Sequence, residues 1–156
     1  MHIHLIAIGH KMPAWVDEAC DDFIRRLPAE IKIHSKLLPL IKRGKNADLE
    51  RIKRDESSKL QQAIPPGCIS VLLDVKGKRY TSEKFSELVK HWLQSGQDIA
   101  IIVGGPDGVS DEFRRQASVL LSLSDLTFPH TLIRVMLCEQ LYRASSILAN
   151  HPYHRG

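Results

Sequence analysis

Two short, almost uninterrupted apolar runs constrain the fold of this chain more than any other feature. They read CISVLLDV at residues 68–75 and IAIIV at residues 99–103. A strand that is apolar on both faces belongs inside a parallel sheet, where helices cover it from each side. The run HIHLIAI at residues 2–8 predicts a first strand of the same sheet, closed by Gly9.

The clearest predicted helix follows the first of these two runs. It begins at a cap on Thr81 or Ser82 and ends at Gly96, and its apolar residues recur at positions i, i+3, i+4, i+7 and i+8. Between the strand and this helix, residues 76–78 (KGK) predict a turn.

Four weaker patterns complete an alternation of strands and helices. Residues 13–28 predict a helix, residues 31–39 a strand, residues 49–63 a mostly solvated helix, and Ser110 the cap of another helix. About five βα units predict an α/β fold with a parallel sheet and helices on both faces. No repeat or linker interrupts the pattern, so we expect a single domain over residues 1–156.

The last third of the chain combines a strand-like run, a helix and a polar tail. Residues 121–128 alternate until Pro129, which cannot donate to a sheet ladder. Apolar spacing then predicts one long helix over residues 131–149, ended by Asn150. The basic, aromatic tail at residues 151–155 has no apolar periodicity, so packing alone does not explain it.

Composition limits the classes of partner. Lys and Arg number 22 against 18 Asp and Glu, and the net charge of +4 mildly favours a polyanionic partner. No apolar run approaches the roughly 20 residues that span a bilayer, so we expect a cytoplasmic protein without a membrane partner. The three cysteines show no CxxC spacing, and His151 and His154 lack a nearby third ligand, so we expect no metal site.

Two strand ends are candidate ligand sites. Ligands of open α/β sheets bind beyond the carboxyl ends of strands, which here are residues 72–74 and 103–105. The GGPDG segment at residues 104–108 fits either a ligand-binding loop or a tight turn that needs positive φ. Its spacing is not that of a dinucleotide-binding or P-loop motif.

Two groups of charged residues each have two interpretations. Lys42, Arg43 and Lys45 form either a solvated loop or a phosphate contact. Glu139 and Arg143 lie four residues apart on the last helix, as either an intrahelical ion pair or a charged pair beside a substrate.

Several motifs together carry a family resemblance. They are KRGKNAD after the second strand, IVGGPDG after the fourth, LTFPHTLIRV before the last helix and NHPYHR in the tail. From Met1 to Arg155 the chain resembles the bacterial large-subunit ribosomal RNA pseudouridine N3-methyltransferases, minimal members of the SPOUT class of S-adenosylmethionine enzymes. The resemblance implies a C-terminal trefoil knot and a homodimer built on the last helix.

The resemblance also implies the site residues. S-adenosylmethionine would be bound by Leu73, Gly104, Gly105, Leu123, Ser124, Asp125, Leu126, Thr127 and Phe128. The implied catalytic residues are Glu139, Arg143, Tyr153, His154 and Arg155, and the implied RNA-binding residues are Lys42, Arg43 and Lys45. In our hypothesis Tyr153 and His154 position the base. Arg143 and Arg155 favour its deprotonated imide, and Glu139 orients Arg143 or accepts a proton.

The substrate implied by the resemblance is a pseudouridine of the inter-subunit stem-loop, helix 69, of 23S rRNA, on the assembled ribosome. One alternative is a catalytically silent ribosome-binding or assembly factor with the same fold. Another is a SPOUT methyltransferase that acts on tRNA. Such enzymes commonly carry an added RNA-binding domain, for which a chain of 156 residues has no spare length.

Overall fold

A five-stranded parallel sheet forms the centre of the protein. The computed structural model describes residues 1–155, and Gly156, the last residue of the predicted domain, lies outside the described residues. The strand order is β2-β1-β4-β3-β5. The strands are β1 (His2–Gly9), β2 (Lys32–Pro39), β3 (Ile69–Arg79), β4 (Ile99–Val103) and β5 (Val119–Ser122). The predicted α/β fold with a parallel sheet is confirmed.

Helices cover both faces of this sheet. They are α1 (Ala14–Arg25), α2 (Leu49–Ala63), α3 (Ser82–Ser95), α4 (Asp111–Gln116) and α5 (His130–Leu148), followed by a 3₁₀ turn at Pro152–His154. The predicted caps are confirmed at Thr81, whose hydroxyl accepts from the Lys84 amide, and at Gly96, which has a φ of 71°. No helix within residues 1–155 is long and apolar enough to cross a membrane.

Strand β4 explains why the central runs are apolar throughout. Ile99 and Ile101 belong to the core on the side of α1, α3 and α5, whereas Ala100 and Ile102 belong to the core on the side of α2 and α4. All four are fully buried. Successive strand residues point to opposite faces, so a strand with a core on each side needs apolar residues at every position.

The predicted turn at residues 76–78 is wrong. Strand β3 continues to Arg79, and after an irregularity Lys78 and Arg79 pair with Leu121 and Ser122 of β5. The approach is close, because a Cβ on Gly77 would lie 2.7 Å from the Leu121 amide nitrogen. Pairing with a strand more than forty residues later extends β3 beyond its apolar run.

The strand-like run at residues 121–128 is also shorter than predicted. Strand β5 ends at Ser122, and residues 123–128 form a loop. The chain passes from β5 at one edge of the sheet to the end of β1, where the His130 ring lies 3.7 Å from the Cβ position of Gly9. The trefoil knot stays a prediction.

Helix α2 is mostly solvated, as predicted, but two polar residues of its middle are buried. Glu56 and Ser57 lie in its middle and are only 1% and 4% exposed. Local spacing did not indicate these two buried polar residues, because their partners lie on other segments of the chain.

Candidate active site

A pocket of about 450 Å³ lies beside the middle of β3 and at the carboxyl ends of β4 and β5. Its walls come from residues 72–75 of β3, the end of β4, the turn after β4, the loop after β5 and the start of α5. We call it the cofactor pocket. Eight of the nine residues predicted to bind cofactor line it, namely Leu73, Gly104, Gly105, Leu123, Ser124, Leu126, Thr127 and Phe128.

The ninth predicted residue, Asp125, does not line the pocket. Its carboxylate forms an ion pair with the Arg79 guanidinium at the end of β3, and both side chains are largely exposed. In this structure Asp125 therefore connects the loop after β5 to the neighbouring strand.

The two glycines after β4 are required by the protein's own packing. A Cβ on Gly104 would lie 2.8 Å from Cγ1 of Val109, and a Cβ on Gly105 would lie 2.7 Å from Oε1 of Glu56. The Gly108 amide donates to the Gly105 carbonyl at 3.0 Å, and Gly108 has a φ of 81°. The GGPDG segment is thus a tight turn, and that turn forms one wall of the pocket.

Two charged residues of the pocket were given no role in the site, although one of them, Asp74, lies in the strand end at residues 72–74 that was a candidate ligand site. The Arg114 Nε atom of α4 donates to Oδ2 of Asp74 at 2.8 Å, and the Asp74 side chain is 10% exposed. Asp74 is the first charged residue after the apolar part of β3, so its position was the available signal. No signal in the sequence pointed to Arg114, because it reaches the pocket only through the packing of α4.

His130, at the start of α5, is a further pocket residue that sequence reasoning missed. Burial lowers the pKa of its imidazole, although a hydrogen bond to the Ile8 backbone acts in the opposite direction. The ring is therefore neutral near physiological pH.

A second group of predicted residues forms a cluster on α5 and the terminal turn. The Arg143 Nε and Nη2 atoms lie 3.0 and 2.8 Å from Oε1 of Glu139, and the Tyr153 hydroxyl donates to the same oxygen at 3.1 Å. The Arg143 guanidinium also lies 5.1 Å from the centre of the Tyr153 ring. We call Glu139, Arg143 and Tyr153 the tail cluster.

Burial and the nearby Glu139 carboxylate raise the pKa of Tyr153. The phenol therefore stays protonated, as its hydrogen bond to Glu139 requires.

The remaining two predicted catalytic residues flank the tail cluster. His154 is half-buried and its Nδ1 atom has no partner among the described residues, whereas Arg155 is exposed.

The cofactor pocket and the predicted catalytic residues are separate within one chain. Over the described part of the protein, none of Glu139, Arg143, Tyr153, His154 and Arg155 lines the pocket. A single chain thus holds both groups of predicted residues without joining them.

The predicted RNA-binding loop has two kinds of residue. Lys42 and Lys45 are exposed, whereas the Arg43 side chain is only 18% exposed. The Arg43 guanidinium bonds to Glu56, Asp107 and the Ile41 carbonyl, and the two carboxylates raise its pKa further. These bonds disfavour a phosphate contact by Arg43. RNA contact by the two lysines stays a prediction.

Comparison with known proteins adds to this geometry. The family model described as "Predicted SPOUT methyltransferase" matches residues 1–154. The chain belongs to the SPOUT methyltransferase family.

Among the residues that the structure describes, no group of three His, Cys, Asp or Glu side chains is placed to hold a metal ion.

Curated relatives of this SPOUT methyltransferase match it over almost its full length. A protein of Thioalkalivibrio sulfidiphilus is 50% identical over 155 residues, which cover 99% of each chain. Relatives from Laribacter hongkongensis and Methylococcus capsulatus are 46% and 44% identical, over 99% of this chain and at least 99% of theirs. All three are named "Ribosomal RNA large subunit methyltransferase H".

Solved structures share the fold at low sequence identity. A methylase family protein from Neisseria gonorrhoeae has a TM-score of 0.53 at 13% identity, over 90% of this chain and 81% of that one. One from Haemophilus influenzae has a TM-score of 0.54 at 10% identity, over 97% and 69%.

Proposed function

We propose that this protein transfers a methyl group from S-adenosylmethionine to N3 of a pseudouridine in helix 69 of 23S rRNA, on assembled ribosomes in the cytoplasm. The observation that carries the proposal is the 50% identity, over 155 residues, to a protein named as a large-subunit rRNA methyltransferase. The choice of a pseudouridine in helix 69 rests on the motif resemblance and is more specific than the name of that relative.

The cofactor pocket fits S-adenosylmethionine in size and chemistry. Its volume of about 450 Å³ lies within the roughly 300–1,000 Å³ usual for small-molecule sites. Leucine and phenylalanine side chains offer apolar walls for an adenine. Residues 123–128 lie outside the strands, so their backbone groups are not used in sheet pairing, although the Leu126 amide and the Ser124 carbonyl bond to neighbouring serine hydroxyls. Asp74 and Arg114 supply opposite charges for an amino-acid moiety.

When bound, the cofactor supplies an electrophilic methyl group on a sulfonium. The protein must then hold the nucleobase so that N3 lies in line with that methyl, and must favour loss of the N3 proton. Arg143 and Arg155 stabilise the negative imide, since fixed positive charge favours an anion that develops in the reaction. Glu139 and Tyr153 hold Arg143 in place, and Tyr153 and His154 position the base.

This mechanism needs a homodimer. The predicted catalytic residues do not line their own chain's pocket, so we propose that the tail cluster of one copy completes the pocket of the other. A dimer also doubles the net charge of +4 and presents Lys42 and Lys45 from both copies to RNA phosphates.

The direct test is methyl transfer to purified ribosomes from cells that lack this protein. We expect tritium from labelled S-adenosylmethionine to enter 23S rRNA at one pseudouridine, found by mass spectrometry, and ribosomes that already carry the methyl group to accept none. Absence of transfer to any RNA would favour the silent assembly factor. Transfer to tRNA alone would favour the tRNA enzyme.

A further inference from the structure

Helix α2 contributes no residue to the cofactor pocket within the described chain, yet it contacts the turn that forms one wall. The Glu56 carboxylate lies directly against Gly105, where a Cβ would lie 2.7 Å from its Oε1 atom. The next residue, Ser57, accepts a hydrogen bond from the Ser110 amide at 2.9 Å. Two successive buried residues of α2 thus hold the beginning of the turn and the chain that follows it.

Arg43 connects the same turn to α2 from the other side. Its Nη2 atom lies 2.8 Å from Oε1 of Glu56, and its Nε atom lies 2.7 Å from Oδ2 of Asp107, which belongs to the turn. Glu56 also accepts from the Ile41 amide at 3.1 Å. Arg43, Glu56, Ser57 and Asp107 form what we call the supporting cluster.

Burial of Glu56 needs an explanation beyond stability. A buried ion pair contributes little net stability, because removing both charges from water offsets much of their attraction. Its bonds are directional, however, and a carboxylate that meets a guanidinium and a backbone amide fixes the position of all three. Here the guanidinium is that of Arg43, which also bonds to Asp107 in the turn that forms the pocket wall.

We infer that the supporting cluster holds the Gly104–Gly108 turn in its cofactor-binding shape, so that Arg43, Glu56 and Asp107 are positioning residues for S-adenosylmethionine. The inference rests on the proposed function only in taking the pocket as the cofactor site. It gives Arg43 a role different from the RNA contact predicted from its basic neighbours.

The test compares cofactor affinities by titration calorimetry with S-adenosylmethionine and with its demethylated product. Asp107→Asn is the main variant, because the Asp107 side chain is 32% exposed and its exchange leaves the buried pair intact. We expect about tenfold weaker binding, the usual loss for one charge-assisted hydrogen bond. Asp107→Glu keeps the carboxylate and should stay within about threefold of the wild-type affinity.

A stability-matched control separates positioning from general weakening. Val89→Ala opens space in the core beneath α3, away from the pocket, and should lower the melting temperature without changing cofactor affinity. Glu56→Gln is measured at a temperature where it is folded and should bind more weakly than Asp107→Asn.

The outcomes are distinguishable. Wild-type affinity in both Asp107→Asn and Glu56→Gln would overturn the inference and leave the proposed function intact. Equal weakening in Val89→Ala would also overturn it, since loss of stability would then explain the effect. A wild-type protein that binds neither ligand would overturn the proposed function and this inference together.

Discussion

The cofactor pocket and the tail cluster are built in different ways. The pocket consists of strand ends, glycine turns and a loop, so the fold itself creates it. The tail cluster consists of three side chains joined at one oxygen of Glu139, with Arg143 and Glu139 26% and 19% exposed. One chain thus forms the whole of the pocket described here, whereas the tail cluster of the described chain does not line it.

This difference shows that the residues proposed for cofactor binding and those proposed for methyl transfer occupy separate regions of the chain. Substitutions in the pocket should change cofactor affinity, and substitutions in the tail cluster should change methyl transfer while cofactor affinity is retained. The following predictions test that separation, beginning with the largest effect.

Arg143→Ala should lower turnover by roughly 10²–10³-fold, as expected when a group that stabilises developing negative charge is removed. Cofactor affinity should fall far less than turnover, because Arg143 does not line the pocket of its own chain and acts on the base rather than on the cofactor. Single-turnover methylation of unmodified ribosomes and calorimetry measure the two quantities. The matched control is Arg51→Ala, which removes an arginine that is 75% exposed on α2. Full turnover in Arg143→Ala would remove the tail cluster from the mechanism.

Thr127→Trp should weaken cofactor binding by roughly ten- to a hundredfold, because forcing extra atoms into occupied space costs about 1–3 kcal/mol. Thr127 is exposed and lines the pocket, so the indole should fill the site while the core stays intact. Thr127→Ser, which removes one methyl group, should bind almost normally. Unchanged affinity in the tryptophan variant would mean that the cofactor binds elsewhere.

Mixed dimers of the Thr127→Trp and Arg143→Ala variants test whether the pocket of one copy works with the tail cluster of the other. In a dimer of one Thr127→Trp chain and one Arg143→Ala chain, an intact pocket meets an intact tail cluster only if the two come from different copies. At a cofactor concentration too low to fill the Thr127→Trp pocket, random pairing then restores roughly a quarter of wild-type activity, since about half of the dimers are mixed and each has one intact site of two. Co-expression with two affinity tags provides the mixture. Activity that stays at the level of the separate variants would show that each tail serves its own pocket.

The sequence predicted the residues of the pocket better than those of the supporting cluster. The strand ends carry local signals, namely apolar runs and glycines. The loop at residues 123–128 was assigned to the cofactor by the family resemblance alone, since its local pattern predicted a strand-like run. Glu56 carried no local signal, because its partners Arg43 and Asp107 belong to other segments, and Arg43 and Asp107 are themselves 64 residues apart in the chain. The local pattern predicts that a charged residue on a helix is exposed to solvent, and only tertiary contacts show that it is buried.

For the tail cluster, the sequence predicted the local contact but not its relation to a substrate. The i, i+4 spacing of Glu139 and Arg143 correctly indicated an ion pair, and the structure adds Tyr153 to it. Neither spacing nor one chain's structure brings these residues to a substrate. In the proposed mechanism that step depends on a second copy, which local patterns do not encode.

Tyr153→Phe should have the smallest effect and tests how the tail cluster is held. Loss of the hydrogen bond to Glu139 should lower the free energy of unfolding by about 0.5–1.5 kcal/mol near neutral pH, whereas the ring keeps its contact with Tyr142. Because the folded-state pKa of Tyr153 is raised, the unfolded chain releases its proton first as the pH passes about 10. The stability advantage of the wild type should therefore be constant below that pH and shrink above it. Urea unfolding of both proteins across this range measures the difference, and an advantage that persists at high pH would mean that Tyr153 does not act through its hydroxyl proton.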